Sequence, residues 1–369
     1  MRGPAVKPIV IAAGGTGGHF FPAEALAATL IARGHRVVLM TDGRSGALQS
    51  PVFAGAEQHV LPGAGLAGRG VIKAARALLA LARGTLRARG ILARLDAAAV
   101  VGFGGYPSVP PVLAASSLKH RPFVVLQEQN AVLGRANIFL CKRADLLALG
   151  VADTRRIPTG VTSEVTGNPV RPAIAALANL AYAPPVEKME LLVMGGSLGA
   201  RVFSDVVPDA VAALPPQLRA RLSITQQCRA EDLNRVRAAY DEAGVAAELA
   251  PFFNDVAARL QNAHLVIGRA GASTCAELAV AGRPAILVPL PGAIDDHQTA
   301  NAAAVGGARV LAQTAFTATA LTALLLELLT APAKLAEAAA AARASARPHA
   351  AAALADAIER HIALSEAHA

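Results

Sequence analysis

The sequence predicts two α/β domains of Rossmann type, each built on a parallel sheet, with a cleft between the domains. One reason is the length of 369 residues, because a single domain typically holds about 100–200 residues. A second is that an apolar strand, a glycine-rich loop and a helix follow one another twice, over residues 8–34 and again over 190–213. A third is that short apolar runs alternate with helical stretches, which is typical of parallel sheets covered on both faces.

The predicted elements follow these runs along the chain. Strands are predicted in the first half at residues 8–13, 36–41, 98–101 and 123–126. Strands are predicted in the second half at residues 190–194, 222–225, 265–267, 285–289 and 309–311. Proline favours the first position of a helix, so Pro22 predicts the start of a helix that ends near Gly34. The alanine-rich stretch from Lys334 to Ala369 is predicted to be helical throughout.

Two prolines and a glycine between residues 167 and 172 interrupt both patterns and mark the boundary between the domains. We expect an N-terminal domain over residues 1–165, a C-terminal domain over 166–345, and a last helix over 346–369 that could pack back on the N-terminal domain. Each domain is long enough to bury its own core.

The composition is that of a folded globular protein, since 54% of the residues are hydrophobic and 17% are charged. The longest uncharged run, residues 97–118, contains three glycines and three prolines, which a membrane-spanning helix would not tolerate. The apolar stretch at residues 8–13 is too short for a signal peptide, so we expect the protein to remain in the cytosol. Three widely spaced cysteines, Cys141, Cys228 and Cys275, indicate buried hydrophobic side chains rather than disulfides or a zinc site.

The net charge of +9 is concentrated in the first part of the chain. Residues 1–165 hold 19 lysines and arginines against 8 acidic residues, whereas the remainder holds 16 against 18. The segment 66–95 has seven cations among leucines, isoleucines and valines, with no acidic and no aromatic residue. Nucleic-acid binding usually needs aromatic stacking, so we expect no nucleic-acid partner and favour attraction to an anionic membrane surface. A core-packing helix with a solvated basic face is the alternative.

The first glycine loop, Gly14 to Gly18, has four glycines in five positions, which lets backbone N–H groups approach a ligand closely. Its spacing is not that of a dinucleotide fingerprint, because the third glycine would fall at Phe20. This weighs against a nicotinamide oxidoreductase, and no stretch of the sequence matches an ATP-binding phosphate loop. His19 follows at the mouth of the helix, where its side chain could reach a ligand or simply pack or cap.

Two further polar turns follow predicted strands of the first half. Gly102 to Tyr106 is a second glycine turn, which could bind a phosphate-bearing acceptor or serve as a tight connection. The side chains from Gln127 to Asn130 hydrogen-bond in several directions, which suits sugar hydroxyls, although Asn130 could also cap a helix. We expect all three turns at the carboxyl edge of one sheet, where open α/β sheets bind ligands.

In the second half, the loop from Gly268 to Thr274 brings small residues and hydroxyls to a helix N-terminus, which favours anions without a metal ion. Glu277 in that helix could bind both hydroxyls of a ribose or simply favour the helix dipole. Asp295 and Asp296 are adjacent, and neighbouring carboxylates rarely converge on one ion. We therefore expect no metal site there and instead polar contacts to a sugar.

Eight motifs, taken in order, resemble the MurG family of bacterial glycosyltransferases over nearly the whole chain. They are GGTGGH at residues 14–19, GLAGRG at 65–70, GFGGYPS at 102–108, EQN at 128–130, GNPVR at 167–171, GGSLGA at 195–200, RAGASTCAEL at 269–278 and DHQTANA at 296–302. Each motif is modest alone, and their order makes the resemblance specific.

The resemblance implies a GT-B architecture, with the acceptor bound by the N-terminal domain and the donor by the C-terminal domain. It implies an inverting, metal-independent hexosyltransferase that moves N-acetylglucosamine (GlcNAc) from UDP-GlcNAc to the C4 hydroxyl of N-acetylmuramic acid in undecaprenyl-diphospho-N-acetylmuramoyl-pentapeptide (lipid I). The product would be lipid II, for peptidoglycan synthesis, cell shape and cell division. No cofactor is implied, and the enzyme would lie at the cytoplasmic face of the inner membrane, with other cell-wall synthesis proteins as partners.

The resemblance also implies roles for individual residues. By motif match, the donor contacts are Arg171 and Ser197 for the diphosphate, the Phe253 backbone for uracil, Glu277 for ribose, Ala272, Ser273, Thr274, Cys275 and Ala276 for the pocket lining, and Asn130 and Gln298 for the GlcNAc hydroxyls. Thr16, Gly17 and Gly18 would lie against the donor sugar and the acceptor. The family usually has histidine before Glu128, and the Gln127 present here removes a general base at that position.

Inversion requires the acceptor hydroxyl to attack opposite to the departing UDP while a base accepts its proton. His19 is the first candidate for this base and Glu128 is the second. Charge growing on UDP would be met by Arg171, Ser197 and the helix N-terminus at Ala272 without Mg²⁺. The alternative to this function is that of another GT-B enzyme, such as a UDP-GlcNAc 2-epimerase or a glycolipid glycosyltransferase.

Overall fold

The computed structural model describes residues 7–14, 17–43, 50–62, 71–196 and 199–367. Its contacts divide the chain into two units. The N-terminal unit comprises Met1–Arg171 together with His349–Ala369, and the C-terminal unit comprises Pro172–Pro348. The domain ends expected at residues 165 and 345 lie six and three residues before these two changes of unit.

The strands of the N-terminal unit are β1 (Ile9–Ala12), β2 (Val37–Asp42), β3 (Glu57–Leu61), β4 (Ala99–Gly102), β5 (Phe123–Glu128), β6 (Leu146–Leu149) and β7 (Ser163–Val165). They form one sheet in the order β3-β2-β1-β4-β5-β6-β7, and neighbouring strands are parallel. The order reverses between β1 and β4. Such a switch point is where open α/β sheets bind ligands.

Helices cover both faces of this sheet. They are α1 (Gly17–Ala32), α2 (Pro51–Ala54), α3 (Val71–Leu95), α4 (Gly105–Ser116), α5 (Arg135–Leu140) and, after the C-terminal unit, α15 (Ala350–Ala367). Ile9 and Ile11 of β1 belong to the core cluster that contains side chains of α1 and α15. Val10, between them, belongs to the cluster that contains side chains of α3 and α4. Alternate side chains of the strand thus enter two hydrophobic cores, one on each face of the sheet.

The strands of the C-terminal unit are β8 (Met189–Met194), β9 (Leu222–Gln227), β10 (Ala246–Ala250), β11 (Leu265–Gly268), β12 (Ala285–Leu287) and β13 (Arg309–Val310). They form a parallel sheet in the order β10-β9-β8-β11-β12-β13, with its switch point between β8 and β11. Its helices are α6 (Pro172–Ala175), α7 (Arg201–Ala212), α8 (Pro216–Arg219), α9 (Leu233–Glu242), α10 (Val256–Asn262), α11 (Ala272–Ala281), α12 (His297–Ala303), α13 (Ala318–Thr330) and α14 (Pro332–Ala344). The six strands of the second sheet therefore repeat the order of the first six strands of the N-terminal sheet, which has β7 in addition.

Among the described residues, no single helix is long and apolar enough to cross a membrane. The helices α13 and α14 reach the necessary length and hydropathy only together, and a bend of 97° separates them. Leu321, Leu325 and Leu335 from this pair are buried in the core of the C-terminal unit. That burial accounts for the apolar composition of both helices.

The helix α15 packs on α1 and completes a core of the N-terminal unit. Leu354 and Ile358 are fully buried in that core. Around them, Arg33 donates hydrogen bonds to Asp356 and Glu359, each at 2.6 Å. Exposed ion pairs of this kind contribute about 0–1 kcal/mol, so the buried apolar side chains contribute more to the docking of α15.

Some predicted elements are wrong in detail. The first helix begins at Gly17, and Pro22 lies inside it, because glycines at a helix N-terminus leave no side-chain signal for the true start. The tail is not one helix, since α14 ends at Ala344 and α15 begins only after Pro348, which cannot continue a helix. Four strands, β3, β6, β7 and β10, are missing from the prediction. The partly exposed residues of β3, β7 and β10 form no apolar run, whereas β6 is a short buried apolar run that the prediction overlooks.

Two glycines of α3 give opposite expectations for substitution by alanine. A Cβ at Gly84 would lie 2.4 Å from the Pro62 carbonyl oxygen, whereas the nearest atom to a Cβ at Gly90 is a side-chain nitrogen of Arg94 at 4.0 Å. Gly84→Ala must push α3 away from Pro62 and should lower the free energy of unfolding by about 1–3 kcal/mol. Gly90→Ala meets no close neighbour and restricts the unfolded backbone, so it should raise the free energy of unfolding by about 0.5–1 kcal/mol. Urea unfolding measures both, and equal effects would contradict the close packing at Gly84.

Candidate active site

Three polar turns of the N-terminal unit meet at the carboxyl edge of its sheet. They follow β1, β4 and β5, which are neighbours in the strand order. The expectation that the turns share one edge is therefore confirmed. Since β1 and β4 flank the switch point, the first two turns border the place where a ligand can enter. Thr16 and the 65–70 motif lie outside the described residues.

His19, the third residue of α1, lies half-buried at this edge. Its Nδ1 is 2.9 Å from Oε1 of Gln129. The Gln129 amide is oriented by its Nε2, which donates a hydrogen bond to the Phe103 carbonyl oxygen at 2.9 Å. Oε1 then faces the imidazole as an acceptor, which in the neutral ring favours the tautomer with the proton on Nδ1 and the lone pair on Nε2. This tautomer is the one that can accept a proton at Nε2.

The glycine turn after β4 packs against the same imidazole ring. Gly104 and Gly105 have φ angles of +80° and +66°, in the region that favours glycine. A Cβ at these positions would lie 3.6 and 3.5 Å from ring atoms of His19. The turn therefore needs glycine for its conformation, and it contacts the imidazole directly.

Glu128 ends β5 and is only 2% exposed. Its Oε1 accepts hydrogen bonds from the backbone N–H of Asn130 (2.9 Å) and from Asn130 Nδ2 (3.0 Å). Its Oε2 accepts from the Gly134 N–H (2.8 Å) and from Asn137 Nδ2 (2.9 Å). Both carboxylate oxygens are thus engaged within the protein, and a substrate hydroxyl would have to displace one of these donors. The carboxylate fixes the position of Asn130.

Arg171 lies beside the start of α1 within the same unit. Its guanidinium is 5.0 Å from the centroid of the Phe21 ring, which is within the range of a cation–π interaction. The same ring covers Gly17, where a Cβ would lie 2.8 Å from a ring carbon. Phe21 therefore packs between Arg171 and Gly17, the first residue of α1.

In the C-terminal unit, the loops after β8 and β11 flank the second switch point. The loop after β8 turns sharply, since Gly196 and Gly199 have φ angles of +82° and +67°. A Cβ at Gly195 would lie 2.2 Å from the Ala200 nitrogen, so only glycine fits there. Ser197, the residue expected to contact the diphosphate, lies outside the described residues.

The loop after β11 leads into α11, with Gly271 as its N-cap residue. Burial separates the predicted pocket lining into two groups. Cys275 is 7% exposed, burial raises the pKa of its thiol to about 12, and its N–H donates a hydrogen bond of 2.9 Å to the Gly271 carbonyl oxygen, so its thiol lines the interior side of the helix. The partly exposed members are Ala272, Ser273, Thr274, Ala276 and Glu277.

Phe253 lies in the loop after β10, and its side chain is 5% exposed. The Arg259 guanidinium stacks over its ring at 3.9 Å from the centroid. Glu248 in turn holds Arg259 through two hydrogen bonds of 2.7 Å. With the ring buried and covered, the backbone of Phe253 is the part suited to contact a base.

Gln298, in α12, ties that helix to the loop after β12. Its Oε1 accepts a hydrogen bond of 2.9 Å from the Leu290 N–H. The preceding residues Asp295 and Asp296 have φ angles of +55° and +52°, which are unusual for residues with side chains. Within the described ranges, no group of three His, Cys, Asp or Glu side chains is arranged to hold a metal ion.

Two buried amides at these edges, Gln129 and Asn301, have no individual role assigned by the sequence motifs. Gln129 orients His19, and Asn301 donates a hydrogen bond of 3.2 Å to the Ala270 carbonyl oxygen in the loop before α11. Gln129 is 2% exposed and Asn301 is 1% exposed. For Gln129 the available signal is a polar residue directly after an apolar strand, whereas Asn301 lies in a helix and gives no comparable signal.

Two Rossmann-type sheets in one chain, each with a glycine-rich loop at its switch point, are the architecture of the GT-B class of enzymes. Residues 9–148 match the glycosyltransferase family 28 N-terminal domain, and residues 190–359 match the family 28 C-terminal domain.

Curated relatives match almost the whole chain. A protein of Granulibacter bethesdensis is 57% identical over 366 residues, which cover 98% of this chain and 95% of the relative. A protein of Gluconobacter oxydans is 56% identical over 358 residues, which cover 96% and 98%. Both are named UDP-N-acetylglucosamine–N-acetylmuramyl-(pentapeptide) pyrophosphoryl-undecaprenol N-acetylglucosamine transferase.

A solved structure gives the same result. The crystal structure of Acinetobacter baumannii MurG superposes with a TM-score of 0.77 at 31% sequence identity, covering 96% of this chain and 99% of that one. The chain belongs to glycosyltransferase family 28 and, within it, to the family of these transferases.

The burial of Cys275 leads to an expectation for thiol chemistry. All three cysteines are buried, and burial raises the pKa of Cys228 as well as that of Cys275. Below its pKa a thiol stays protonated and reacts slowly with disulfide reagents. At about pH 8 the native protein should release no thionitrobenzoate from Ellman's reagent within minutes, and the unfolded protein should release three equivalents. Rapid reaction of one thiol in the native protein would contradict this burial.

Proposed function

We propose that this chain transfers GlcNAc from UDP-GlcNAc to lipid I and so makes lipid II for peptidoglycan. The observation that carries the proposal is the near full-length match, at 57% and 56% identity, to two relatives whose names state this transfer. The match to both domains of family 28 supports a hexosyltransferase. Peptidoglycan synthesis in turn supports cell-wall growth, cell shape and cell division.

The N-terminal unit binds the acceptor in this proposal. Its switch point carries a histidine in a proton-accepting tautomer, beside the glycines that begin α1 and the Gly104–Gly105 turn. His19 Nε2 accepts the proton of the C4 hydroxyl of N-acetylmuramic acid as that oxygen attacks the anomeric carbon of GlcNAc from the side opposite to UDP. Gln129 keeps the imidazole in the required tautomer, and Thr16, Gly17 and Gly18 line the site.

Glu128 acts through Asn130 rather than as a base. Four hydrogen bonds engage its carboxylate, and two of them come from Asn130. The carboxylate therefore holds the Asn130 amide in the orientation in which it contacts a GlcNAc hydroxyl. Gln298 is the residue of the C-terminal unit proposed to contact a GlcNAc hydroxyl.

The C-terminal unit binds UDP-GlcNAc between the loops after β8 and β11. Ser197, Arg171 and the N–H groups at the N-terminus of α11, at Ala272, stabilise the charge that develops on UDP, and they do so without a metal ion. The Phe253 backbone contacts uracil, and the Glu277 carboxylate accepts hydrogen bonds from the ribose hydroxyls. The partial exposure of Glu277 and the buried ring of Phe253 support these two assignments.

His19→Ala should lower kcat by about 10²–10⁴-fold, because it removes the proton acceptor and leaves the donor site intact. The measurement is lipid I-dependent release of UDP, together with UDP affinity, which should not change.

Glu128→Gln should act differently, since it places an NH₂ group against two N–H donors and should lower the free energy of unfolding by about 1–3 kcal/mol.

His120→Ala is the matched control, because His120 is exposed and precedes β5 at the amino edge of the sheet. Near-normal turnover of His19→Ala would remove His19 from the chemistry. If the wild-type protein released no UDP with lipid I, the transferase proposal would fail, and formation of UDP-N-acetylmannosamine without acceptor would favour an epimerase.

The helix α3 is proposed to dock the enzyme on the anionic inner surface of the cell membrane, as a peripheral protein. Its inner face packs on α4, whereas Leu78, Leu79 and Leu86 are 65%, 50% and 67% exposed. Five exposed arginines accompany these leucines: Arg76, Arg83, Arg87, Arg89 and Arg94. Apolar side chains that enter the headgroup region and cations that attract anionic lipid together support membrane binding.

Reversal of three charges on α3 should abolish binding to vesicles that contain anionic lipid. Each basic group near such a surface contributes about 1 kcal/mol, so Arg76→Glu, Arg83→Glu and Arg87→Glu combined should weaken partitioning at least about a hundredfold. The control reverses three exposed cations of the C-terminal unit, Lys188, Arg237 and Arg347. Vesicle sedimentation at low and high salt measures both proteins, and equal binding would favour a helix with a merely solvated basic face.

A further inference from the structure

Gln227, the last residue of β9, hydrogen-bonds to two separate loops of the C-terminal unit. Its Oε1 accepts a hydrogen bond from the Gly195 N–H at 3.1 Å. Its Nε2 donates to the carbonyl oxygens of Gly196 at 2.9 Å and Pro251 at 3.1 Å. The residue is 3% exposed, so water competes little for these bonds.

The two loops lie on opposite sides of β9. In the sheet β9 has β8 on one side and β10 on the other. Gly195 and Gly196 follow β8, and Pro251 follows β10 and comes two residues before Phe253. One side chain therefore links the loop proposed to hold the diphosphate to the loop proposed to contact uracil.

The chemistry of this link requires an amide. Glutamine offers an acceptor oxygen and two donor hydrogens, and these match one backbone N–H and two backbone carbonyl oxygens. Glutamate has the same shape, but its second oxygen would face two carbonyl oxygens and repel them. Methionine has a similar length and makes none of the three bonds.

We propose that Gln227 is a positioning residue for the donor nucleotide, holding the backbone of Gly195 and Gly196 and the loop that contains Phe253 at the separation that UDP requires. The proposal rests on the proposed function, which takes these two loops as donor contacts. Without the amide the loops must be ordered when the donor binds, which weakens binding. The loss affects the ground state and the transition state alike, so KM for UDP-GlcNAc rises while kcat is retained.

The experiment compares Gln227→Glu and Gln227→Met with the wild-type enzyme. UDP affinity is measured by titration calorimetry, and KM for each substrate and kcat are measured from UDP release. Both variants should raise the UDP Kd and the KM for UDP-GlcNAc by about tenfold or more. The kcat should stay within about twofold, and KM for the lipid acceptor should not change.

Gln226→Met is the matched control, because Gln226 is the preceding residue of the same strand and is fully buried. Its Oε1 accepts a hydrogen bond from the Tyr240 hydroxyl at 2.5 Å in the core, away from both loops. Gln226→Met should lower the unfolding midpoint, followed by circular dichroism, and leave the UDP Kd unchanged.

Two results would overturn the role of Gln227. One is a folded Gln227→Glu protein that binds UDP as tightly as the wild type does. The other is an equal loss of UDP affinity in Gln226→Met, which would indicate general destabilisation. Failure of the wild-type enzyme to release UDP with lipid I would instead overturn the proposed function, and the UDP affinities would still decide the role of Gln227.

Discussion

The reversal of strand order in each sheet is the constraint on which the rest of the molecule depends. Connections between parallel strands are right-handed, so a reversal sends successive helices to opposite faces and opens a gap at the carboxyl edge. The gap lies between β1 and β4 in one unit and between β8 and β11 in the other. The loops beside these gaps are the ones that carry the glycine residues, the histidine and the start of α11.

A loop at a strand end has backbone groups without partners in the sheet, and these need hydrogen bonds from elsewhere. Buried side chains supply them here. Gln129 binds the Phe103 carbonyl, Gln227 binds groups of Gly195, Gly196 and Pro251, and Asn301 binds the Ala270 carbonyl. Because these amides belong to the sheet and to a helix, the backbone groups that they bind are held in place before a substrate arrives.

The sequence predicts the fold well wherever an apolar strand runs into a glycine turn, as at Ile9–Ala12 and Met189–Met194. The sequence predicts strands poorly where partial exposure leaves no run of apolar residues, as at the edge strand Ala246–Ala250. The candidate residues at the two edges follow from motifs. The hydrogen bonds that hold the loops at these edges do not follow from motifs. Gln227 and its partner Gly195 are 32 positions apart, and only the folded sheet brings the two residues together.

The docking of α15 determines the order in which the two units can complete their hydrophobic cores. The polypeptide emerges from the ribosome N-terminus first, and a unit completes its core only when its last segment has been made. The N-terminal unit needs Leu354, Ala355 and Ile358 for its core, and these are synthesised after the whole of Pro172–Pro348. The C-terminal unit is continuous in sequence and ends before α15 begins, so all of its segments are available before the core of the N-terminal unit can be completed.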